Sequence, residues 1–416
     1  MAAQLVVSPV TQGTSAGAPL FPNITAAGSF SAPTSYFFSS NFQNPQVHEF
    51  DFSIQRELFP GVAAQVSYMG ALGRELPNAL NINLNPNANT NTAAGSQPNG
   101  VIQSVITVSD TTGAGKIPNG TVFVVPTYSK TNTSTTANLL NPNFGAVNEL
   151  FSDINSSYHA LVAEILNKSS KRLQYDVNYT WSHAIDYNQN ESTTTLGSGW
   201  FDPYNIDGYP KGGNYGNSNF NVPNRLVAWA LVNAPNVETD GWAKWFTNGW
   251  SLNPVYQAQN GLPYSATIGT GSPSTSAYSS SWNGAGSNFW IPQIGRNTFE
   301  MKRTMVVDMR LEKEFEVNVA DRPYHLQLLG EFFNVANHQN VTGVITTAYN
   351  LSSNSSVTAG CTQGVSGQTQ EECSTLTYVP KAGSGTAASG FGAVNNTGSN
   401  FAYSPRQVQL SLRLDF

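Results

Sequence analysis

The sequence predicts an all-β chain, an antiparallel meander of about ten strands with short turns at one rim and long polar loops at the other. Three observations carry this. Segments of strict apolar/polar alternation recur along the chain. The connections between them alternate between short and long. The chain is also poor in charge, at 11% of 416 residues, where ordinary soluble domains carry roughly 25%.

The last strand is the clearest. In Pro405–Phe416, Val408, Leu410, Leu412, Leu414 and Phe416 fall on one face, and Gln407, Gln409, Ser411, Arg413 and Asp415 on the other. Period two of this kind gives a strand with one apolar and one polar face. The same pattern runs through Gln46–Leu58, where Phe50, Phe52 and Ile54 alternate with polar residues, and through Val62–Tyr68. It recurs in Arg172–Ser182, with Leu173, Tyr175, Val177, Tyr179 and Trp181, and in Thr304–Phe315, with Val307, Met309, Leu311 and Phe315. Weaker strands are expected near 158–167, 224–233, 248–259 and 323–335, and a first one at Ala3–Val10.

The spacing separates two rims. Phe59–Gly61 and Lys168–Lys171 are tight turns, and 234–247 and 316–322 are moderate links. Long stretches rich in Asn, Gly, Ser, Thr and Pro lie near 71–157, 183–223, 260–302 and 336–404. Every long connection then falls on one side of the sheet. Structureless loops longer than about 15 residues are uncommon in compact domains. Bacterial outer-membrane barrels are the exception, with short periplasmic turns and long extracellular loops.

Alternation alone fits a soluble sandwich as well as a membrane barrel, and three features favour lipid. Asp176, Asp308, Arg310 and Glu312 sit deep within strands on the polar face, as a water-filled lumen allows. Tyr68, Tyr179, Trp181, Trp250, Phe332 and Phe416 fall near strand ends, where rings with a polar tip suit the membrane interface. The loops lengthen on one side only. The fold class expected is therefore a partial outer-membrane β-barrel with long extracellular loops and outer-membrane lipid as a partner. The competing reading is a soluble or secreted all-β carbohydrate-binding or adhesion protein, its loops holding glycans.

Composition excludes other classes. The net charge of −6 leaves no basic footprint for nucleic acid. The longest apolar run, Leu226 to Val232, is far below the ~18 residues of a transmembrane helix. Residues 1–55 contain no Lys or Arg, so no signal peptide is expected and the chain reads as a fragment of a longer exported protein. Residues 1–45 form a poorly defined N-terminal strand and loop, and 46–416 the barrel portion. Cys361 and Cys373, in a Gly/Ser/Gln-rich stretch, are the candidate local disulfide of an exported loop.

Several segments in order resemble the C-terminal barrel of TonB-dependent outer-membrane receptors of the Oar-like type. They are FDFSIQREL (50–58), VSYMGALGREL (66–76), YHALVAEILNKSSKRLQYDVNYTWSHAID (158–186), NYGNSNFNVPNRLV (214–227), GWSLNPVYQAQNGLPYSA (249–266), GRNTF (295–299), EFFNVANHQNV (331–341) and PRQVQLSLRLDF (405–416). Residues 301–306 depart from the Gly/Pro-rich stretch expected after GRNTF. The resemblance implies a barrel of about 22 strands in an intact member, uptake of an extracellular ligand, and no cofactor. It implies that Val408, Leu410, Leu412, Leu414 and Phe416 form the signal read by the barrel-assembly machinery. It further implies a plug domain contacting TonB, of which no segment is recognised in this sequence, so that the chain is expected not to be transport-competent alone.

No catalytic constellation is expected. Ser182, His183 and Asp186 lie too close together on one extended segment to assemble a triad. The histidines at 48, 159, 183, 325 and 338 lack metal-ligand spacing, and Gly115-Lys116 lacks the Ser/Thr of a phosphate loop. Asn205, Asp207 and Gly208 suggest a calcium loop, but Pro203 stands where the first carboxylate belongs.

Overall fold

The computed structural model describes residues 35–83, 102–127, 140–141, 144, 147–187, 215–238, 241–269, 291, 293–319, 322–353, 372–383, 388–398 and 405–415. The expected strand Ala3–Val10 lies outside them. The described chain runs through β1 (Ser35–Phe38), β2 (Gln46–Phe59), β3 (Val62–Asn81), β4 (Ile102–Ser109), β5 (Val122–Thr127) and β6 (Val147–Asn167). It continues through β7 (Leu173–Asp186), β8 (Gly216–Asn217), β9 (Asn224–Asn233), a 3-10 turn at Gly241–Ala243, α1 (Lys244–Thr247) and β10 (Trp250–Gln259). Then follow β11 (Pro263–Tyr264), β12 (Thr267–Gly269), β13 (Phe299–Glu300), β14 (Thr304–Val319), β15 (Arg322–Phe333) and β16 (Val341–Val344). The last are β17 (Thr347–Ser353), β18 (Glu372–Tyr378), β19 (Val394–Thr397) and β20 (Gln407–Asp415).

Nine long strands form one antiparallel wall in the order β2-β3-β6-β7-β9-β10-β14-β15-β20. Each pairs with the next long strand in the chain, as the alternating segments predict. The turns are built by local chemistry. At Pro60-Gly61 the backbone needs φ of +82° at Gly61, and the Gly61 N–H donates to Glu57 Oε1 at 2.8 Å. At the next turn Asn167 Oδ1 accepts the Ser169 and Ser170 N–H groups. Ser170 Oγ accepts those of Arg172 and Leu173. Asn and Ser mimic backbone acceptors at such corners.

Register fixes the two faces, because directly opposed residues share one. Phe52 opposes Tyr68, which opposes Leu161, which opposes Trp181. Farther along, Tyr256 opposes Val307. Met309 opposes Phe332, which opposes Val408. Among the described residues no second sheet lies against this apolar face: Phe52 is 65% exposed and Leu410 75%. A soluble sandwich would cover these side chains, since burying one is worth roughly 1.5–3 kcal/mol. The other face carries Asp176, Asp308, Arg310, Glu312 and Glu331.

The long side departs from expectation. β3 has 20 residues and β6 has 21, so each tilted strand rises roughly 50 Å against an apolar band of about 25 Å. Their outer halves stand above the membrane. The connections expected as irregular loops carry a second sheet in the order β12-β17-β18-β4-β5. β12 runs parallel to β17, and β18 parallel to β4, so strands from three separate long connections pair together. Ile106, Val108, Ile268, Ile291, Tyr349 and Leu376 form the core beneath it, with Tyr349 and Leu376 fully buried. β1 pairs parallel with the outer end of β6, from Ser35 opposite Val147 to Phe38 opposite Leu150.

Candidate functional site at the mouth of the barrel

The functional geometry of a wall-and-cap chain lies where the cap meets the barrel mouth. Two of the quoted segments, 214–227 and 295–299, meet there. Arg296 is 2% exposed. Its Nη2 donates to the Asp186 carboxylate at the outer end of β7, to the Asp186 carbonyl at 2.7 Å and to the Gly216 carbonyl at 3.2 Å. Burial pushes the guanidinium below its ordinary range, and the facing Asp186 carboxylate pulls it back up. A Cβ at Gly216 would stand 2.9 Å from the Arg296 carbonyl oxygen, so this approach requires glycine.

Asn297 continues the junction in a left-handed conformation, φ +55°. Its N–H donates to Ser265 Oγ at 2.9 Å, and its Nδ2 to Asn217 O and Asn219 Oδ1, both at 2.7 Å. Asn217 Nδ2 donates back to Asn297 O at 3.1 Å. Asparagine adopts this backbone region at lower cost than other side-chain-bearing residues. The connection after β7 and the connection after β10 are thereby tied to each other and to the barrel rim.

A second tie forms after β15. The Asn334 N–H donates to Asp308 Oδ1 at 2.7 Å, while the Asn334 side chain closes a turn onto His338 through both of its polar atoms. Asn340 is fully buried and pairs with Met305 as a strand residue would, accepting from its N–H at 2.7 Å and donating to its carbonyl at 2.9 Å. Higher in the cap, Asp110 accepts from the Thr112 hydroxyl and from the N–H groups of Thr112, Gly113 and Gly115. The Thr112 hydroxyl does most to hold this carboxyl below its ordinary value; the backbone donors add to it and burial opposes them.

These hydrogen bonds join the connections to one another and to the strand ends. Below them the lumen face presents Glu164 beside Asp176 and Arg310 between Glu312 and Glu331, at 3.9 and 4.0 Å. His325 Nδ1 lies 2.8 Å from Glu314 Oε1. Among these groups the acidic ones outnumber the basic, which gives this face of the wall a negative character.

The residues singled out from sequence are placed as follows. Val408, Leu410, Leu412 and Leu414 line up on the apolar face of β20, between 54% and 75% exposed. Phe416 lies outside the described residues. So do Cys361 and the Cys373 side chain, and Asn205, Asp207 and Gly208. Ser182, His183 and Asp186 go separate ways. Ser182 Oγ donates to Val222 O at 2.8 Å, His183 Nε2 meets Asn217 Oδ1 at 2.9 Å on the opposite face, and Asp186 binds Arg296. The Arg296, Asn297, Asn334 and Asn340 junctions are not singled out in the sequence as sites; their only sign is that they fall within the quoted segments.

A search of curated protein sequences returns no match. Among solved structures the chain is similar to the outer membrane transporter YddB from Escherichia coli, with a TM-score of 0.37 and 8% identity, over 75% of this chain and 31% of that one. The chain thus spans less than a third of that protein's length. The outer membrane beta barrel domain family matches residues 2–409. With a bare apolar face, a polar lumen face and a match over nearly its whole length, the chain belongs to the outer membrane beta barrel domain family, whose place is the bacterial outer membrane.

Proposed function

We propose that this chain is the C-terminal wall and extracellular cap of a TonB-dependent, Oar-like receptor that takes up an extracellular ligand. In this reading it does not transport alone. The observation that carries it is the state of the two sheet edges. Among the described residues, β2 and β20 each have one long neighbour in the wall. A strand edge left open in lipid costs several kcal/mol for each unmet backbone group.

Strand direction supports further strands at this seam. β2 and β20 are the first and ninth long strands of an antiparallel series, so both run toward the short-turn rim. Pairing them directly makes a parallel seam. An all-antiparallel barrel needs an odd number of additional strands between them. The cap then selects the ligand, the acidic lumen wall lines its path, and energy coupling comes from a plug that contacts TonB. The terminal β20 signal is offered to the barrel-assembly machinery.

The test is conductance and uptake. The chain is exported with a leader peptide into a strain lacking the intact receptor, then purified and inserted into planar bilayers. The expected result is no stable pore and no restored uptake, with both recovered when the remaining barrel and plug are supplied. A stable pore or restored uptake from this chain alone refutes the proposal.

A further inference from the structure

Between β9 and β10 the short-turn rim carries a helical turn whose side chains are unlike those of a solvated loop. In GWAKWFT (241–247), Trp242, Trp245 and Phe246 fall at the i, i+3, i+4 spacing of one helix face. They are 78%, 49% and 70% exposed. The Trp242 and Phe246 rings meet edge to face at 5.8 Å. We propose that this turn is an interfacial anchor, its aromatic face seated in the phospholipid leaflet at the short-turn rim.

Continuity with the lipid face names the occupant. Trp245 packs 6.0 Å from Phe315. Phe315 opposes Leu326, and Leu326 opposes Leu414, so all three belong to the bare apolar face. The Trp250 indole N–H donates to the Phe246 carbonyl at 2.7 Å, fixing the turn to β10. Asn248 holds the other side, accepting from the Val237 N–H at 2.7 Å and donating to its carbonyl at 3.0 Å. The aromatic patch thus extends the membrane surface of the barrel instead of facing the lumen.

Lys313 gives an independent sign of an interface. It lies on the apolar face, opposite Trp250 and Leu328, where a lysine at the bilayer midplane is strongly disfavoured. Its ammonium reaches toward the rim, donating to the Asn248 carbonyl and, at 2.9 Å, to the Glu314 carbonyl. It also lies 4.3 Å from the centre of the Phe315 ring and 5.7 Å from that of Trp250. Only 4% of Lys313 is exposed. A cation that snorkels to an aromatic-lined rim belongs at the lipid–water boundary. Lys244, on the opposite side of the turn, is placed to meet lipid phosphate, and Trp favours this depth because its ring is apolar and its N–H polar.

The test is a depth measurement by spin label. With Cys361→Ser and Cys373→Ser as background, Trp242→Cys, Lys244→Cys and Leu410→Cys are labelled singly. The full chain is reconstituted in bilayers of phosphatidylethanolamine and phosphatidylglycerol. Collision with oxygen reports lipid, and collision with a water-soluble nickel chelate reports water. The expected result is a several-fold higher oxygen-to-nickel ratio at 242 than at 244, with 410 the highest. Water access at 242 with lipid access at 410 overturns the anchor and leaves the barrel wall standing. A label at 242 shielded from both reagents means protein covers it, and also overturns the anchor. Water access at 410 overturns the membrane placement of the wall and the anchor with it.

Discussion

Removing the Arg296 guanidinium tests whether the cap is mounted through one buried ion pair. In Arg296→Met a side chain of similar length keeps the packing but loses the donors to the Asp186 carboxylate, the Asp186 carbonyl and the Gly216 carbonyl. Breaking a buried pair by removing one partner costs about 3–5 kcal/mol. Asp186 keeps 21% of its side-chain surface exposed, so water recovers part of its solvation and about 2–3 kcal/mol remains. At 1.36 kcal/mol per decade, local opening of the junction becomes about 30- to 150-fold more populated. Amide hydrogen exchange in detergent micelles reads this directly. The Ser218 N–H, bonded to the Ala184 carbonyl, and the Asn297 N–H, bonded to Ser265, exchange faster by that factor. Amides of β14 and β15 serve as controls and stay unchanged. A change below threefold at Ser218 and Asn297 refutes the view that Arg296 holds the mount.

Three further outcomes are expected. Leu410→Arg on the bare face costs about 2–4 kcal/mol of folding stability if it lies near the bilayer midplane, whereas Ser411→Arg on the lumen face costs under 1; guanidinium titration of the lipid-reconstituted chain compares the two, and equal effects contradict the assignment of faces. Gly61→Val forces a left-handed φ of +82° on a branched residue and places its Cβ 1.8 Å from Ser169 Oγ; a loss of about 1–3 kcal/mol and slower assembly follow in refolding kinetics. Asp110 has a folded value depressed below its ordinary 3.8, so its contribution is fully present above 3.8 and is lost as pH falls through the lower folded value. Near-ultraviolet circular dichroism of the Tyr349–Tyr378 pair, 5.2 Å apart, should therefore hold from pH 7 down to 3.8 and decay as pH falls further, with that acid-dependent part absent in Asp110→Asn.

The wall was legible from sequence because its determinants are local. Residues 224–233, expected as a strand, are the strand observed, and β20 differs from its alternating segment only at the ends. A period of two assigns each side chain to a face without knowledge of its partner, and Pro60-Gly61 fixes a turn by backbone chemistry alone. The upper halves of β3 and β6 were not legible. Above the membrane, residues such as Arg74, Glu75 and Asn78 break the alternation, and there the ladder itself contains irregularities between Gly73 and Asn78.

The cap and its mount belong to the tertiary structure. Its core joins Ile106 to Ile268 and Tyr349, and each of these comes from a stretch whose composition reads as loop. Arg296 meets Asp186 across 110 residues of sequence, and the two parallel pairings of the cap link strands from different connections. Such contacts depend on which connections emerge side by side at the barrel rim, and strand order decides that. The sequence by itself determined the positions and faces of the wall strands within the membrane and the rim each short turn occupies, because these follow from alternation and turn chemistry over a few residues. Only the tertiary structure decided that the loops fold into a sheet, that one arginine meets the rim beneath it, and that β2 and β20 end the strand order of the wall, because all three depend on contacts between segments far apart in the chain.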